Sequence, residues 1–201
     1  MRTLIHFLAH IALCGALLCC ITCDRKSDSA KESAESVNKK VFNDKESRHD
    51  AQFIVDATDQ CYAILEIAKL GRTRGVSAEV KEQANQIVEG HEFLIQEFQN
   101  YAVAWAVSVP LNGPEKTNDA VKKLYKIEVE KFDEAWKEQV LSHTRKLIHD
   151  LEHHDLFASD KGTDSQVRES LEPLIEGVLA TLRAHEELLT NYTKPTQASN
   201  K

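Results

Sequence analysis

Three histidines, His91, His143 and His185, each fall on the apolar stripe of a different helical segment. Glu66 interrupts a fourth stripe, Tyr62-Ala-Ile-Leu-Glu-Ile-Ala68. Three inward imidazoles and one carboxylate are the donor set of a divalent transition metal. The plainer reading is a set of core polar groups that hydrogen-bond across helices and fix register. Two features weigh against metal. A di-iron bundle needs Glu-x-x-His on each of two helices, and the residues three before these histidines are Val88, Val140 and Leu182, none of which ligates. Counted at about 1.5 Å per residue from the expected turns, His91 and His143 come out level, with His185 about 12 Å lower and Glu66 about 9 Å higher. A His91–His143 pair is therefore better supported than a four-ligand site.

A second candidate is His149-Asp-Leu-Glu-His-His-Asp155 near the end of a helix. His149 and His153 share a face at a spacing that chelates transition metals, although histidines near the negative pole of a helix dipole are also ordinary solvated residues. Cys61 lies among apolar neighbours with no cation three or four residues away, which describes an inert buried thiol rather than a nucleophile. No nucleophile motif, phosphate-cradling glycine loop or zinc-knuckle spacing is present. The net charge of −7 and the lack of a basic cluster disfavour nucleic acid.

The elements that must position these groups are helical. Only four prolines and seven glycines punctuate the chain. A first helix is expected from about Asp50 to Arg72, ending at Gly75 in a left-handed stop. Ser77 caps a second helix, whose stripe of Val80, Ala84, Ile87, His91, Leu94, Phe98, Tyr101 and Trp105 advances by alternating steps of four and three. A third starts near Thr117, breaks near Lys131 and turns Phe132, Trp136, Val140, His143, Leu147 and Leu151 inward. A fourth follows the capping box Thr163-x-x-Gln166 and carries Leu171, Leu174, Val178, Leu182, His185, Leu189 and Tyr192, with a kink at Pro173 or a restart near Ser170. Four amphipathic helices with short connections pack as an up-down-up-down bundle over residues 50–192. The polar residues after Thr193 form a loose tail.

Four segments in order carry a family resemblance. They are Asp50-Ala-Gln-Phe-Ile-Val-Asp-Ala with Leu65-Glu-Ile-Ala-Lys-Leu70, Ile87-Val-Glu-Gly-His91, Phe132-Asp-Glu-Ala-Trp136 followed by His143, and Leu179-Ala-Thr-Leu-Arg-Ala-His185. Together they resemble a bacterial ferritin-like family of unknown function, domain of unknown function 4142. The resemblance implies a helical bundle, often lipid-anchored or exported, and no settled reaction. Gly90 stands where the family usually has Asp, Trp136 for Tyr, and Ala180 for Pro.

The first residues give an address. Arg2 precedes an apolar run from Phe7 to Ile21, and Thr22-Cys23 meets the charged segment Asp24-Arg25-Lys26. This is an export signal with a cysteine at its boundary, the pattern of a bacterial lipoprotein. Residues 1–22 are expected to be removed and Cys23 acylated, with Cys19 and Cys20 as competing positions. Cys61 then has no partner for an internal disulfide. Residues 24 to about 48 are poor in apolar side chains and read as a flexible tether spanning about 30 Å. The expected protein is a non-enzymatic, lipid-anchored bundle of the cell envelope, at the outer membrane facing the periplasm, with no cofactor. The alternatives are a metal or redox bundle built on the core histidines, and a docking module for an envelope protein.

Overall fold

The computed structural model describes residues 29–113, 119–154 and 166–191, the first five of the last segment by backbone alone. Among the described residues there are six helices and no strand: α1 Ala30–Val41, α2 Lys45–Arg74, α3 Ala78–Trp105, α4 Asp119–Tyr125, α5 Val129–Glu152 and α6 Gln166–Thr190. The signal, its cysteines, the capping box at Thr163 and the tail lie outside the described residues. No described helix is long and apolar enough to cross a membrane.

The four long helices form a bundle around one apolar core. Phe98 and Leu94 of α3, Ile64 and Ile67 of α2, Trp136 and Leu147 of α5, and Leu171 and Leu182 of α6 are all fully buried. Ser77 caps α3 as expected, accepting from the Val80 amide at 3.2 Å. The helix-three break is a short turn, residues 126–128, between α4 and α5. α6 runs through Pro173 without a restart. Gly75 closes α2 at φ −51°, not in the left-handed region. A methyl there would stand 2.5 Å from the Gly71 carbonyl oxygen, so close approach is what requires the glycine. The left-handed residue is instead Ala106, at the end of α3, with φ 56°.

Two expectations are corrected. Residues 24–48 read as tether in the sequence, yet α1 and the first turn of α2 occupy their described part. Ser29 and Glu32 form a reciprocal capping box. α1 then docks through polar groups: the Asn38 amide donates to Ser108 O at 2.8 Å and accepts from Ser108 N at 2.7 Å, and Gln52 donates to Glu35 at 2.9 Å. Of the short apolar stripe Ala34, Val37 and Val41, only Ala34 is buried, so the stripe does little of the docking.

The chain order is not up-down-up-down. Tyr62 pairs with Gln99 and Lys69 with Glu92, so α2 and α3 are antiparallel. Gln60 reaches Asp150 while Ile67 meets Trp136, so α2 and α5 are also antiparallel. Arg145–Glu186 and Arg183–Glu152 make α5 and α6 antiparallel. Gln83 donates to Leu188 O, and Gly90 abuts His185, so α3 and α6 are antiparallel too. α3 and α5 therefore run in the same direction. The connection between them must cross from one end of the bundle to the other. Its described parts lie against α2, with Leu111 O accepting from the Tyr62 hydroxyl at 2.9 Å and Leu124 O from Arg74 at 2.8 Å.

Candidate functional site

The crossover decides which histidines meet. His91 of α3 faces His185 of α6, with ring centroids 5.2 Å apart and planes at 60°. His91 is 0 % exposed and His185 7 %. Neither ring nitrogen of His91 makes a hydrogen bond, nor does Nδ1 of His185. Burial lowers the His91 pKa to about 3, with the neighbouring His185 adding to it, and burial lowers that of His185 to about 4. Both imidazoles are neutral in the folded protein at ordinary pH. Gly90 makes the pairing sterically possible: a methyl on its Cα would collide with Cε1 and Nε2 of His185. His185 also lines an open groove between α3 and α6, beside Gln86, Glu89 and Leu188.

The expected His91–His143 pair does not form. His143 is half-buried, and its Nδ1 lies 2.8 Å from Gln139 O of its own helix. The inward position on that turn is Thr144, which is fully buried. Position 143 is three after Val140 and four before Leu147, and 144 is four after and three before, so helical spacing alone accepts either. Glu66 also stands away from the histidines, under the crossover, where its Oε1 lies 3.0 Å from the position of a Cβ on Gly113. The donor set at His91 and His185 is two nitrogens, with Val88 and Leu182, both buried and apolar, three residues before them. It does not fit a di-iron centre.

The Phe132-Asp-Glu-Ala-Trp136 segment is a clasp. Asp133 accepts from the amides of Val76 and Ser77, both at 2.8 Å, and so ties the α2–α3 turn to the start of α5. The Phe132 ring lies under the Arg74 guanidinium, 4.9 Å from its centroid. Arg74 in turn donates to Leu124 O and Ile127 O at the end of α4. The Trp136 indole donates to Ile67 O at 2.8 Å. It fits there because Gly71 has no side chain: a methyl would collide with Cε2 of the indole. The polar groups of Asp133 and Trp136 are thus bonded to the bundle's own backbone.

The family model for the domain of unknown function DUF4142 matches residues 36–191. The chain belongs to this family. Its match begins inside α1 and takes in the second half of that helix. No curated protein and no solved structure matches the chain. Two of the motifs that carried the resemblance, Val-Glu-Gly-His91 and Leu-Arg-Ala-His185, converge on one contact in this DUF4142 chain. Here Gly90 is the residue that admits His185.

The remaining candidates are quickly placed. Cys61 is fully buried, and burial raises its thiol pKa, which leaves no thiolate to react. His149 and His153 stack on each other at the end of α5, with centroids 4.1 Å apart and both residues exposed. Sequence reasoning missed a different group. His49 and Asp50 in α2 and His154 just past α5 present ligating atoms within 4.8 Å of one another, and among the described residues this is the one such cluster of three. Its signal in the sequence was the His153-His154 doublet, whose two members face different sides. Under an up-down-up-down order, His49 and His154 would lie at opposite ends of the molecule.

Proposed function

We propose that this DUF4142 protein is a lipid-anchored component of the bacterial cell envelope. Its ferritin-like bundle serves a structural or binding role rather than catalysis, at the outer membrane facing the periplasm. The observation that carries the reading is the fate of the motif polar groups. Asp133, Trp136 and His143 bond to the protein's own backbone, and His91 and His185 are buried and neutral. General acid–base work requires a titrating group within reach of substrate and poised near the working pH, and burial holds His91 and His185 far below it. One long crossover between parallel helices is the connectivity of ferritin-like bundles, which supports that assignment of fold. The address rests on the apolar run that ends at Cys23.

The test is Cys23→Ser in the native host. The variant is expected to lose incorporation of a fatty-acid probe and to move from the membrane fraction to the soluble envelope fraction. Continued acylation of the Cys23→Ser variant would overturn Cys23 as the anchor, and acylation at no cysteine in the unaltered protein would overturn the address.

A second reading, a metal or redox bundle, is favoured by one observation. Three buried ring nitrogens of His91 and His185 have no hydrogen-bond partner, and such groups are rare in native cores without a bound water or ion.

A further inference from the structure

We propose that His49, Asp50 and His154 form a binding site for one divalent transition cation of the zinc class. The site lies where the start of α2 meets the end of α5. Two imidazoles and one carboxylate are the three-protein-ligand set that zinc and its borderline neighbours take when further positions stay open to water. The site is independent of the anchor, and its failure leaves the envelope reading untouched.

Four observations support it. First, Asp50 Oδ1 stands 3.9 Å from His49 Nδ1 and 3.7 Å from His154 Nε2. These gaps are too long for hydrogen bonds. Ligands about 2.1 Å from a tetrahedral zinc stand about 3.4 Å apart, so these two gaps close with shifts of about half an ångström or less, and the His49 and His154 nitrogens, within 4.8 Å of each other, come together as His49 turns. Second, His154 Nε2 is buried without a hydrogen bond, on a side chain only 7 % exposed, and it points at the Asp50 carboxylate. A buried acceptor nitrogen aimed at a carboxylate is the arrangement of two ligands that share an ion. Third, the His154 ring lies flat on Phe53, with centroids 3.6 Å apart and planes within 8°, which fixes its orientation. His49 stacks more loosely on His154 at 4.9 Å, and its side chain is 61 % exposed, so it has room to turn its nitrogen toward the shared centre. Fourth, the group sits beside the C-terminus of α5, where exposed carbonyls favour positive charge.

A cation here would fasten the two helices that the crossover brings together. It would bind the folded state alone, because residues so distant in the chain converge only in the bundle. Metal binding is then linked to stability.

The experiment uses the full chain, purified without a histidine tag, stripped with chelator and titrated with Co2+, then with Zn2+ in competition. The exposed neighbours are removed first with His149→Ala and His153→Ala. That background is expected to keep one equivalent of Co2+ with the ligand-field spectrum of mixed nitrogen and oxygen ligands, and its thermal midpoint is expected to rise on loading. His49→Ala, Asp50→Asn and His154→Ala should each weaken binding by at least about tenfold, the low end even for substitutions one shell further out. Because His49 is exposed, His49→Ala keeps the fold and decides the matter if His154→Ala does not, with circular dichroism as the check. Three results would overturn the site: loss of all binding in the His149→Ala/His153→Ala background, unchanged affinity in His49→Ala, or metal that leaves only with His91→Ala.

Discussion

His91 and His185 stay neutral in the folded bundle because burial holds their pKa values at about 3 and about 4, whereas the unfolded chain protonates both near pH 6.5. Their contribution to stability is therefore complete above pH 6.5 and is lost as pH falls from there toward the folded values. Each site costs about 1.4 kcal/mol per pH unit in that window, or about 2 kcal/mol at pH 5. Denaturant unfolding at pH 7 and pH 5 measures the loss. His91→Leu, similar in volume, is expected to remove about 2 kcal/mol of the difference between the two pH values. An undiminished loss in His91→Leu would mean that His91 is already protonated in the fold or open to solvent. Gly90 belongs to the same contact, since the ring of His185 occupies the space its missing methyl leaves.

At the scale of elements, one side chain, Asn38, ties α1 to the segment that follows α3. The Asn38 amide makes both of its bonds to one residue's backbone, at Ser108, and Asn38 is buried. Asn38→Ala removes both bonds and strands the two backbone groups, at a cost of about 1–3 kcal/mol for such a loss. Hydrogen exchange is expected to quicken in the amides of α1 and leave those of α3 unchanged. Equal quickening in both would show that α1 is part of the cooperative core. The sequence makes α3 legible because its contacts are apolar and periodic, and Ser77 marks its start. It leaves α1 hard to read because its apolar stripe is short, with Val37 and Val41 exposed, and Asn38, Glu35 and Gln52 dock it with polar groups. His143 passes for the inward residue because Thr144 satisfies the same spacing. The histidine partners escape sequence reasoning for a different reason. His91 meets His185, and His49 meets His154, only because α5 runs parallel to α3, and no local pattern records the direction of a distant helix.

For the whole molecule, α1 also changes how the domain stands at a membrane. From Cys23 to Ser29 the chain reaches at most about 20 Å at about 3.5 Å per residue, so an acylated Cys23 would hold the bundle nearer the surface than the expected tether of about 30 Å. The crossover has a further consequence, for rates. The α2–α3 hairpin joins neighbours in sequence and can form early, but Asp133 reaches the amides of its turn, 56 and 57 residues back, only after the chain has travelled the length of the bundle. The entropy of such a closure is lost before its contacts are made. The Asp133 clasp should therefore be absent from the folding transition state. A loss of about 2 kcal/mol in Asp133→Ala, within the range for hydrogen bonds to a charged group, would speed unfolding about 30-fold and leave refolding nearly unchanged. Stopped-flow refolding slowed by that factor would place the clasp in the nucleus. On the expected course, Asp133 acts as a latch: it does little to bring the bundle together and a great deal to set how long it stays closed.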